Sequence, residues 1–416
     1  MSNIPIIIVS YNNYKYVENT INQIYKINQE YYNNIIIMDN HSNDQATIDF
    51  LHNVKNKVIL NETNNGPWIR PNCNKDIYDI MPDKFIITDP DLEFNKDLPN
   101  NFIEIMCELS DKYNTKKIGF ALSLEDADDM IDNNDYFCNM NIHEWEKQFW
   151  NIKIMDNDYE LYQADIDTTF CLINKCISNN TCIRIGNNFT AKHLPWYIKH
   201  DILNMYEKYT LYSKQTSIST VSKITVNYIN KIYKIINKND IFVLIKNTDP
   251  YIYFWENAYS NYENDKFRLF DKYIDLNKIV IDIGNELAFT SIYLSKKTKN
   301  VYSIMMNNNV STYFENIISI NAKNIELLYG NNNISNVIDK CCKQNQIAFI
   351  NVDIYNSENL LTELYDLHIT TKIPIIVTIN YLLWKNKDLG RFSFLSLYDI
   401  EKIKMCDNYT FVIIKI

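Results

Sequence analysis

Short runs of apolar residues, each ending in polar or acidic residues, recur through the first half of the chain. They span residues 6–9, 35–38, 58–60 and 85–88, and apolar residues at helical spacing separate the first two. Continuous apolar runs of this length are typical of strands that are buried on both faces of a parallel sheet. We therefore expect an α/β domain with a mainly parallel sheet, and ligands beyond the carboxyl ends of its strands.

The second half of the chain repeats this alternation after a polar segment, residues 213–220, which is poor in large apolar side chains. Its apolar runs cover residues 278–281, 301–304, 348–350, 375–379 and 409–414. A chain of 416 residues is long enough for two separate cores. We predict two Rossmann-like α/β domains, residues 1–212 and 222–416.

The net charge and the composition of the chain limit the binding partners and the cellular location that we expect. The formal net charge of −10 argues against nucleic acid and anionic membranes, which bind basic surfaces. The first apolar run begins too close to Met1 for a signal peptide, and no run approaches the roughly 18 residues of a membrane span. Nine cysteines without a zinc-type Cys-x-x-Cys pair predict free thiols in a reducing compartment.

These features predict a cytoplasmic protein. The abundance of Asn, Ile, Lys and Tyr is typical of AT-rich coding sequences, as in some parasites and large DNA viruses. If the chain is viral, its place would be the host cytoplasm or the virion.

The segment Asp89-Pro90-Asp91 follows the fourth apolar run and is the sharpest candidate site. Two carboxylates one residue apart can bind a hard divalent cation directly or through water. Such a cation would bridge a diphosphate and stabilise the charge that a leaving group gains. Since Asp and Pro both favour turns, a solvated turn at the strand end is the alternative.

Polar residues after the other strands would lie at the same edge of the sheet. Asp39 could accept hydrogen bonds from a base N–H or a ribose hydroxyl, although a helix cap or an Asx-turn would use the same side chain. The turn at Asn65 and Gly66 is a weak signal for a phosphate loop. The predicted nucleotide contacts are Ser10, Tyr11, Asn12, Asp39, Asn65, Gly66 and Asp89.

Later residues supply candidates for catalysis and for acceptor binding. Asp165 and Asp167 precede an apolar run, and either could be a general base or orient a sugar, with a surface turn as the alternative. His193 could complete a metal shell, or be structural. The predicted contacts to an acceptor or sugar are Trp145, Glu146, Trp150 and Trp196, and the tryptophans could equally belong to the core.

In their order along the chain, these motifs resemble a known family. Ile-Val-Ser-Tyr-Asn, Met-Asp-Asn-His-Ser, Asn-Asn-Gly-Pro and Thr-Asp-Pro-Asp are similar to the nucleotide-sugar-binding half of family 2-like GT-A glycosyltransferases. The strings at residues 145–150, 166–170 and 193–197 resemble a subgroup in which such blocks follow Asp-Pro-Asp. The similarity covers most of residues 1–210.

The resemblance implies a GT-A fold, a Mn²⁺ or Mg²⁺ ion and a nucleotide-sugar donor, best matched by a UDP-sugar, with a glycan or another hydroxyl compound as acceptor. It assigns Asp39 to the nucleoside and Asp91, beside Asp89, to the metal. By extension, His193 would be a metal or diphosphate ligand and Asp167 the base.

The second half resembles an FkbM-type methyltransferase domain with an altered S-adenosylmethionine (SAM) loop, residues 281–291. Ala288 replaces the second glycine of the family pattern, and Glu286 lies inside the loop. No acid ends the second strand near Met305, although Asp353 matches an acid of a later strand. These departures predict a domain that does not bind SAM and serves as a scaffold, or as a surface for a homodimer or larger assembly.

The sequence thus predicts a metal-dependent glycosyltransferase with a degenerate methyltransferase-like domain. Three alternatives remain open. The chain could be a bifunctional glycosyltransferase and SAM-dependent methyltransferase, or a non-catalytic protein that binds or assembles glycans. It could also be a methyltransferase whose glycosyltransferase-like half only binds the glycan.

Overall fold

A computed structural model of the chain describes residues 4–131, 137–213, 220–262, 264–284, 288–305, 311–329, 346–354, 375–380, 399–406 and 409–415, together with residues 338 and 373. The chain divides into two units. One contains Met1–Leu203 and Lys208–Tyr228, and the other contains Asn204–Glu207 and Ile229–Ile416. Most of the polar segment at 213–220 lies outside the described residues, so the domain limits of 1–212 and 222–416 stay predictions.

The first unit is built on one mixed sheet. Its strands are β1 (Ile6–Ser10), β2 (Ile35–Asp39), β3 (Lys57–Leu60), β4 (Lys84–Thr88), β5 (Leu92–Phe94), β6 (Lys117–Leu122), β7 (Lys153–Ile154), β8 (Leu161–Gln163), β9 (Cys171–Asn174) and β10 (Cys182–His193). Their order across the sheet is β3-β2-β1-β4-β9-β6-β10-β8-β7, and β5 pairs with β10. The neighbours β3, β2, β1 and β4 run parallel, as do β6 and β10.

Helices of the first unit lie between these strands. They are α1 (Tyr14–Ile27), α2 (Gln45–Asn53), α3 (Lys75–Ile80), α4 (Phe102–Lys112) and α5 (Ile142–Lys147), with 3₁₀ turns at Gln29–Asn34, Ala127–Asp129, Gln148–Trp150 and Leu194–Trp196. Helix α1 forms because Val17, Ile21 and Ile24 recur on one face, and all three are buried against the sheet. Two more helices follow in the chain, α6 (Met205–Ser213) and α7 (Thr220–Ile232).

The second unit has its own sheet. Its strands are the hairpin β11 (Tyr233–Lys238) and β12 (Ile241–Lys246), then β13 (Ile279–Ile283), β14 (Asn300–Met305), β15 (Ile325–Tyr329), β16 (Ile347–Ile354), β17 (Ile375–Asn380), β18 (Asp399–Cys406) and β19 (Tyr409–Lys415). The main sheet has the order β15-β14-β13-β16-β17-β19-β18, parallel from β15 to β17 and antiparallel at β19 and β18. Its helices are α8 (Ile252–Asn257), α9 (Asn264–Tyr273), α10 (Phe289–Ser295) and α11 (Ser311–Asn321).

The predicted class, α/β with large and mostly parallel Rossmann-like sheets, is confirmed. The first sheet is less uniform than the apolar runs suggest, because β9 lies antiparallel between β4 and β6. In the described part of the chain, no helix combines the length and apolar character needed to cross a membrane.

Candidate functional sites in the two units

A cavity of about 510 Å³ lies in the first unit, beyond the carboxyl ends of β1 and β4. The sheet order reverses between these two strands, where parallel α/β sheets leave a crevice for ligands. The predicted site residues that line it are Tyr11, Gly66, Asp89, Asp91, Asp167, His193 and Trp196. The structure therefore gathers at one place side chains that are far apart in the sequence.

Helix α1 holds the acidic segment in place. The buried Thr20 hydroxyl donates a hydrogen bond to the carbonyl oxygen of Pro90 (2.5 Å). One turn further on, the Gln23 amide donates to the carbonyl of Leu92 and accepts from the backbone N–H of Phe94, both at 2.8 Å. These contacts fix the backbone between the two carboxylates and the short strand β5.

Neighbouring threonines orient the carboxylates. The Thr168 hydroxyl donates to Oδ1 of Asp89 (2.6 Å), and the Thr169 hydroxyl donates to Oδ1 of Asp167 (2.8 Å). Asp167 is exposed to solvent at the cavity, so its carboxylate is accessible to a ligand hydroxyl.

The charges of the cavity are coupled. Desolvation, reinforced by the carboxylates of Asp167 and Asp91, raises the pKa of Asp89 to about 7. Desolvation alone would lower the pKa of His193, but the nearby carboxylates, Asp91 first, raise it to about 9. At neutral pH His193 is therefore an imidazolium paired with Asp91, at 3.3 Å from Nε2 to Oδ1.

The expectation of a Mn²⁺ or Mg²⁺ site is wrong. Within the described residues, no group of three or more His, Cys, Asp or Glu side chains is arranged to hold a metal ion. Nε2 of His193 lies 3.3 Å from Oδ1 of Asp91, so two of the predicted ligands are paired with each other. The residues predicted as ligands do lie together, but as an ion pair beside a second acid.

The predicted nucleotide contacts separate into two groups. Tyr11 and Gly66 line the cavity, and so does Asn40, whose amide donates to the carbonyl of Gly66 (3.0 Å). Asp39 instead accepts from the backbone N–H (2.8 Å) and the hydroxyl (2.6 Å) of Ser42. That is the Asx-turn alternative, because the carboxylate closes the loop after β2.

Three other predicted contacts also serve the loops and do not line the cavity. Ser10 is fully buried, and its hydroxyl faces Oδ1 of Asn13 at 3.4 Å. The side chain of Asn12 accepts from the backbone N–H groups of residues 43 and 44. Asn65 is exposed and accepts from the Thr63 hydroxyl.

A second cavity, of about 800 Å³, adjoins the first and shares Leu122, Asp167 and Trp196 with it. Trp145, Glu146 and Asp165 also line it, so most predicted acceptor contacts lie in one place. Trp150 lines neither cavity and packs edge-on against Tyr162, at 5.0 Å between ring centroids. Trp150 is thus half-buried against Tyr162, and its predicted contact with an acceptor stays a prediction.

Glu146 forms a buried ion pair with Arg184, and Nε of Arg184 also donates to the carbonyl of Asp165 (2.8 Å). Desolvation raises the pKa of Glu146 to about 7 despite the guanidinium beside it. The carboxylate of Glu146 therefore holds Arg184 in position in the wall of the second cavity.

Several residues that line these cavities are not among the contacts predicted from the sequence. Asn40, Trp68, Lys117 and Arg184 are examples. Only Asn40 has a usable signal, since it directly follows a predicted strand end. The other three are brought to the cavities by strands or loops that the apolar pattern does not reveal.

In the second unit, polar groups gather where the strand order reverses between β13 and β16. Asp282 is fully buried and accepts from the Ser291 hydroxyl and from the Asn351 amide, the latter at 2.8 Å. Lys266 pairs with Asp353 in β16. Burial raises the pKa of Asp282.

The glycine at the start of the altered loop is required by a close contact with β16. Gly284 has φ +86°, and a Cβ there would lie 2.3 Å from the carbonyl oxygen of Asp353, so only glycine fits. Ala288 is fully buried in the core at the start of α10, so its methyl group does not occupy space for a ligand. Glu286 lies outside the described residues, and Met305 is buried at the end of β14.

No family model matches the chain, and no curated protein matches it. Similar solved structures include an rRNA methylase from Streptococcus thermophilus (12% identity, TM-score 0.30, covering 36% of this chain and 94% of that one). Another is precorrin-6y C5,15-methyltransferase from Geobacter metallireducens (15%, 0.29, 36% and 86%). A third is a Streptococcus mutans protein described as a putative methyltransferase, in complex with S-adenosylhomocysteine (SAH) (14%, 0.26, 36% and 94%).

Sequence identities and TM-scores this low carry no argument about the activity of this chain. These similar structures have methyltransferase-like folds, and they do not show a glycosyltransferase domain. The expectation that the chain does without SAM conflicts with these neighbours, which are described as methyltransferases, one of them in complex with SAH. The buried methyl group of Ala288 removes one physical reason for that expectation.

Proposed function

We propose that the chain is a bifunctional transferase, with a glycosyl-transfer site in the first unit and a SAM site in the second. One observation carries this proposal. Each unit has a sheet whose strand order reverses, and each gathers polar groups at the carboxyl ends of the two strands that flank the reversal. Ligands of open α/β sheets bind at this place.

In the first unit, the resemblance of the strand-end motifs to GT-A enzymes points to a nucleotide-sugar. Tyr11, Asn40 and Gly66 would face the nucleotide, and His193 is the cationic side chain near its diphosphate. Asp167 lines both cavities, so it can meet a donor in one and an acceptor hydroxyl in the other.

The transfer step follows from that placement. The acceptor oxygen forms a bond to the anomeric carbon while the bond from that carbon to the diphosphate oxygen breaks. The electron pair of the broken bond stays on the departing nucleoside diphosphate, and the acceptor proton moves to the carboxylate of Asp167.

In the second unit, Gly284 lets the end of β13 lie close against the carbonyl of Asp353 in β16, and a ligand would bind beyond the carboxyl ends of these two strands. SAM, when bound, supplies a methyl group. Asp282 holds Ser291 and Asn351 in position beneath the loop, and Lys266 does the same for Asp353. Their role would be to shape the site, since these groups already bond to one another.

A panel of UDP- and GDP-sugars, with release of free nucleoside diphosphate as the readout, tests the first site. Asp167→Asn should reduce release by about 10²–10⁴-fold, the usual contribution of a general base. The matched control Asp158→Asn changes an exposed acid that lines neither cavity and should have no effect. Asp165→Asn decides which of the two neighbouring acids acts.

Calorimetry with SAM and SAH on the full chain tests the second site. Binding that is lost in Gly284→Ala, with the sugar-nucleotide readout unchanged, supports two independent sites. No release from any donor would refute the glycosyl-transfer site, and no binding of either SAM or SAH would refute the second. Failure of both tests would favour the non-catalytic alternative.

A further inference from the structure

The second cavity of the first unit is lined by four basic side chains, three acidic ones and five aromatic ones. Basic side chains from three separate segments line it, namely Arg70, Lys116, Lys117 and Arg184. The chain as a whole has a formal charge of −10, so this local excess runs against its overall composition.

Two of these cations lie over one ring. The Arg70 guanidinium carbon is 5.3 Å from the centre of the Trp68 ring, and Nζ of Lys117 is 5.2 Å from it. Cation–π contact holds both charges beside the indole. Nζ of Lys117 also donates to the carbonyl of Ile166 (3.2 Å), which uses one of its three N–H donors and fixes the side chain.

A second aromatic group stands elsewhere in the lining. Arg184 lies 4.1 Å over the ring of Phe149, and Trp145 packs edge-on against the same ring at 5.7 Å. Because Arg184 is paired with the buried Glu146, its charge is already balanced. Arg70 and Lys117 are therefore the cations best placed to meet a ligand charge.

Acidic groups also line the second cavity, and one of them is shared with the first. Asp167 belongs to both cavities, and Asp165 is two residues away in the chain. A saccharide whose reacting hydroxyl faced Asp167 would extend into the larger cavity. Flat aromatic faces suit sugar rings, and the Trp68 cations suit an anionic substituent.

We propose that the second cavity binds a saccharide acceptor that carries an anionic group, a carboxylate or a phosphate, recognised by Arg70 and Lys117 beside Trp68. This inference rests on the proposed glycosyl-transfer site for its catalytic meaning, but saccharide binding itself needs no donor. It names the acceptor class of that site.

Ligand-observed NMR on the full chain tests it with three probes: glucuronic acid, glucose 6-phosphate and neutral methyl glucoside. Both anionic probes should bind more tightly than the neutral one, and the difference should shrink at high salt. Lys117→Gln should weaken the anionic probes roughly tenfold, the effect of losing a hydrogen bond to a charged group, and leave methyl glucoside within about twofold.

Control variants distinguish the loss of a positive charge in the cavity from a general effect on folding. Lys153→Gln removes a lysine that also lies over an aromatic ring, Tyr162 at 5.9 Å, but lines neither cavity, and it should change nothing. Lys117→Arg keeps the charge and should keep the preference for anions. Trp68→Leu should weaken all three probes.

Equal binding of the neutral and anionic probes, or an equal loss of both in Lys117→Gln, would overturn the inference. That outcome leaves the glycosyl-transfer proposal intact if donors still release their nucleotide. Conversely, selective binding of anionic sugars without nucleotide release would support this site and refute the transfer step.

Discussion

Nε2 of His193 lies 3.3 Å from Oδ1 of Asp91, at the junction of β10 with the segment that follows β4. This pair places an imidazolium among the acids of the first cavity, and its charge is balanced by the carboxylate of Asp91. The arrangement is closed by the backbone as well, because the N–H of Leu194 donates to the carbonyl of Asp91 (2.8 Å).

Replacing Asp91 by Asn should lower the pKa of His193 from about 9 toward its ordinary value, because Asp91 is the carboxylate that raises it most. NMR titration of the histidine ring measures this directly. Asp158→Asn is the control and should leave that pKa in place. An unchanged value in Asp91→Asn would mean that the pair is not electrostatically coupled.

The pair also predicts a dependence of stability on pH. The folded pKa of His193 is raised above its unfolded value of 6.5, so its contribution is complete below about pH 6.5 and is lost as the pH rises through about 9. Urea unfolding between about pH 6 and 10 should show this decline in the wild type, and a smaller one in Asp91→Asn. Identical pH profiles for the two proteins would contradict the coupling.

Thr20→Val should destabilise the first unit by about 1–3 kcal/mol, because it leaves the buried carbonyl of Pro90 without its donor. It should also weaken UDP binding, since the backbone between the two acids loses its anchor. Thr63→Val removes a hydroxyl in an exposed loop and should stay within about 0.5 kcal/mol of the wild type. Similar effects of the two substitutions would contradict the anchoring role.

Two glycines with positive φ form a matched pair. Gly66→Ala should cost about 1–2 kcal/mol, because φ is +77° but no atom lies within 4 Å of the added Cβ. Gly284→Ala should cost about 2–5 kcal/mol, since left-handed strain adds to a clash with the carbonyl of Asp353. Urea unfolding measures the loss in the free energy of unfolding for each variant. Equal losses in Gly66→Ala and Gly284→Ala would show that Gly284 does not lie close to the carbonyl of Asp353.

Glu146→Gln should change how stability varies with pH. The folded pKa of Glu146, about 7, exceeds the unfolded value of 4.5, so its contribution is present below pH 4.5 and is lost as the pH rises through about 7. Relative to Glu146→Gln, the wild type should therefore lose stability across that range. If the free energies of unfolding of the two proteins differ by the same amount throughout this range, burying the ionised carboxylate carries no cost.

The sequence is most informative where strands are apolar on both faces. The runs at 6–9, 35–38 and 85–88 correspond to β1, β2 and β4 almost to the residue, because burial on both sides forces nearly every position to be apolar. The acids at their ends then follow from the parallel direction of the strands. That part of the site could be predicted without a structure.

Strand β10 shows what the apolar pattern does not reveal. It is 12 residues long and mixes buried with exposed positions. Its register against β6 shifts between Ile185 and Thr190, so no single periodicity runs through it. This strand nevertheless carries Arg184 and His193 to the two cavities.

The basic side chains of the second cavity could not be predicted from the sequence, for a related reason. Trp68 and Arg70 lie in an irregular loop, and Lys117 begins β6, so their meeting depends on tertiary folding and not on spacing. The sequence also assigns Asp39 to a ligand, although its nearest donors belong to Ser42. A carboxylate three residues before a serine can be satisfied within its own loop, and spacing alone does not decide which partner it takes.

The antiparallel strand β9 has a consequence for synthesis. Until residues 171–174 have left the ribosome, β4 and β6 each present an unpaired edge to the cell, because the strand that joins them is made last of the three. Strand β6 also pairs with β10, which is made later still, so a chain that ends before β9 leaves one edge of β4 and both edges of β6 unpaired. The sheet of this unit is therefore protected from edge-to-edge pairing only late in its synthesis.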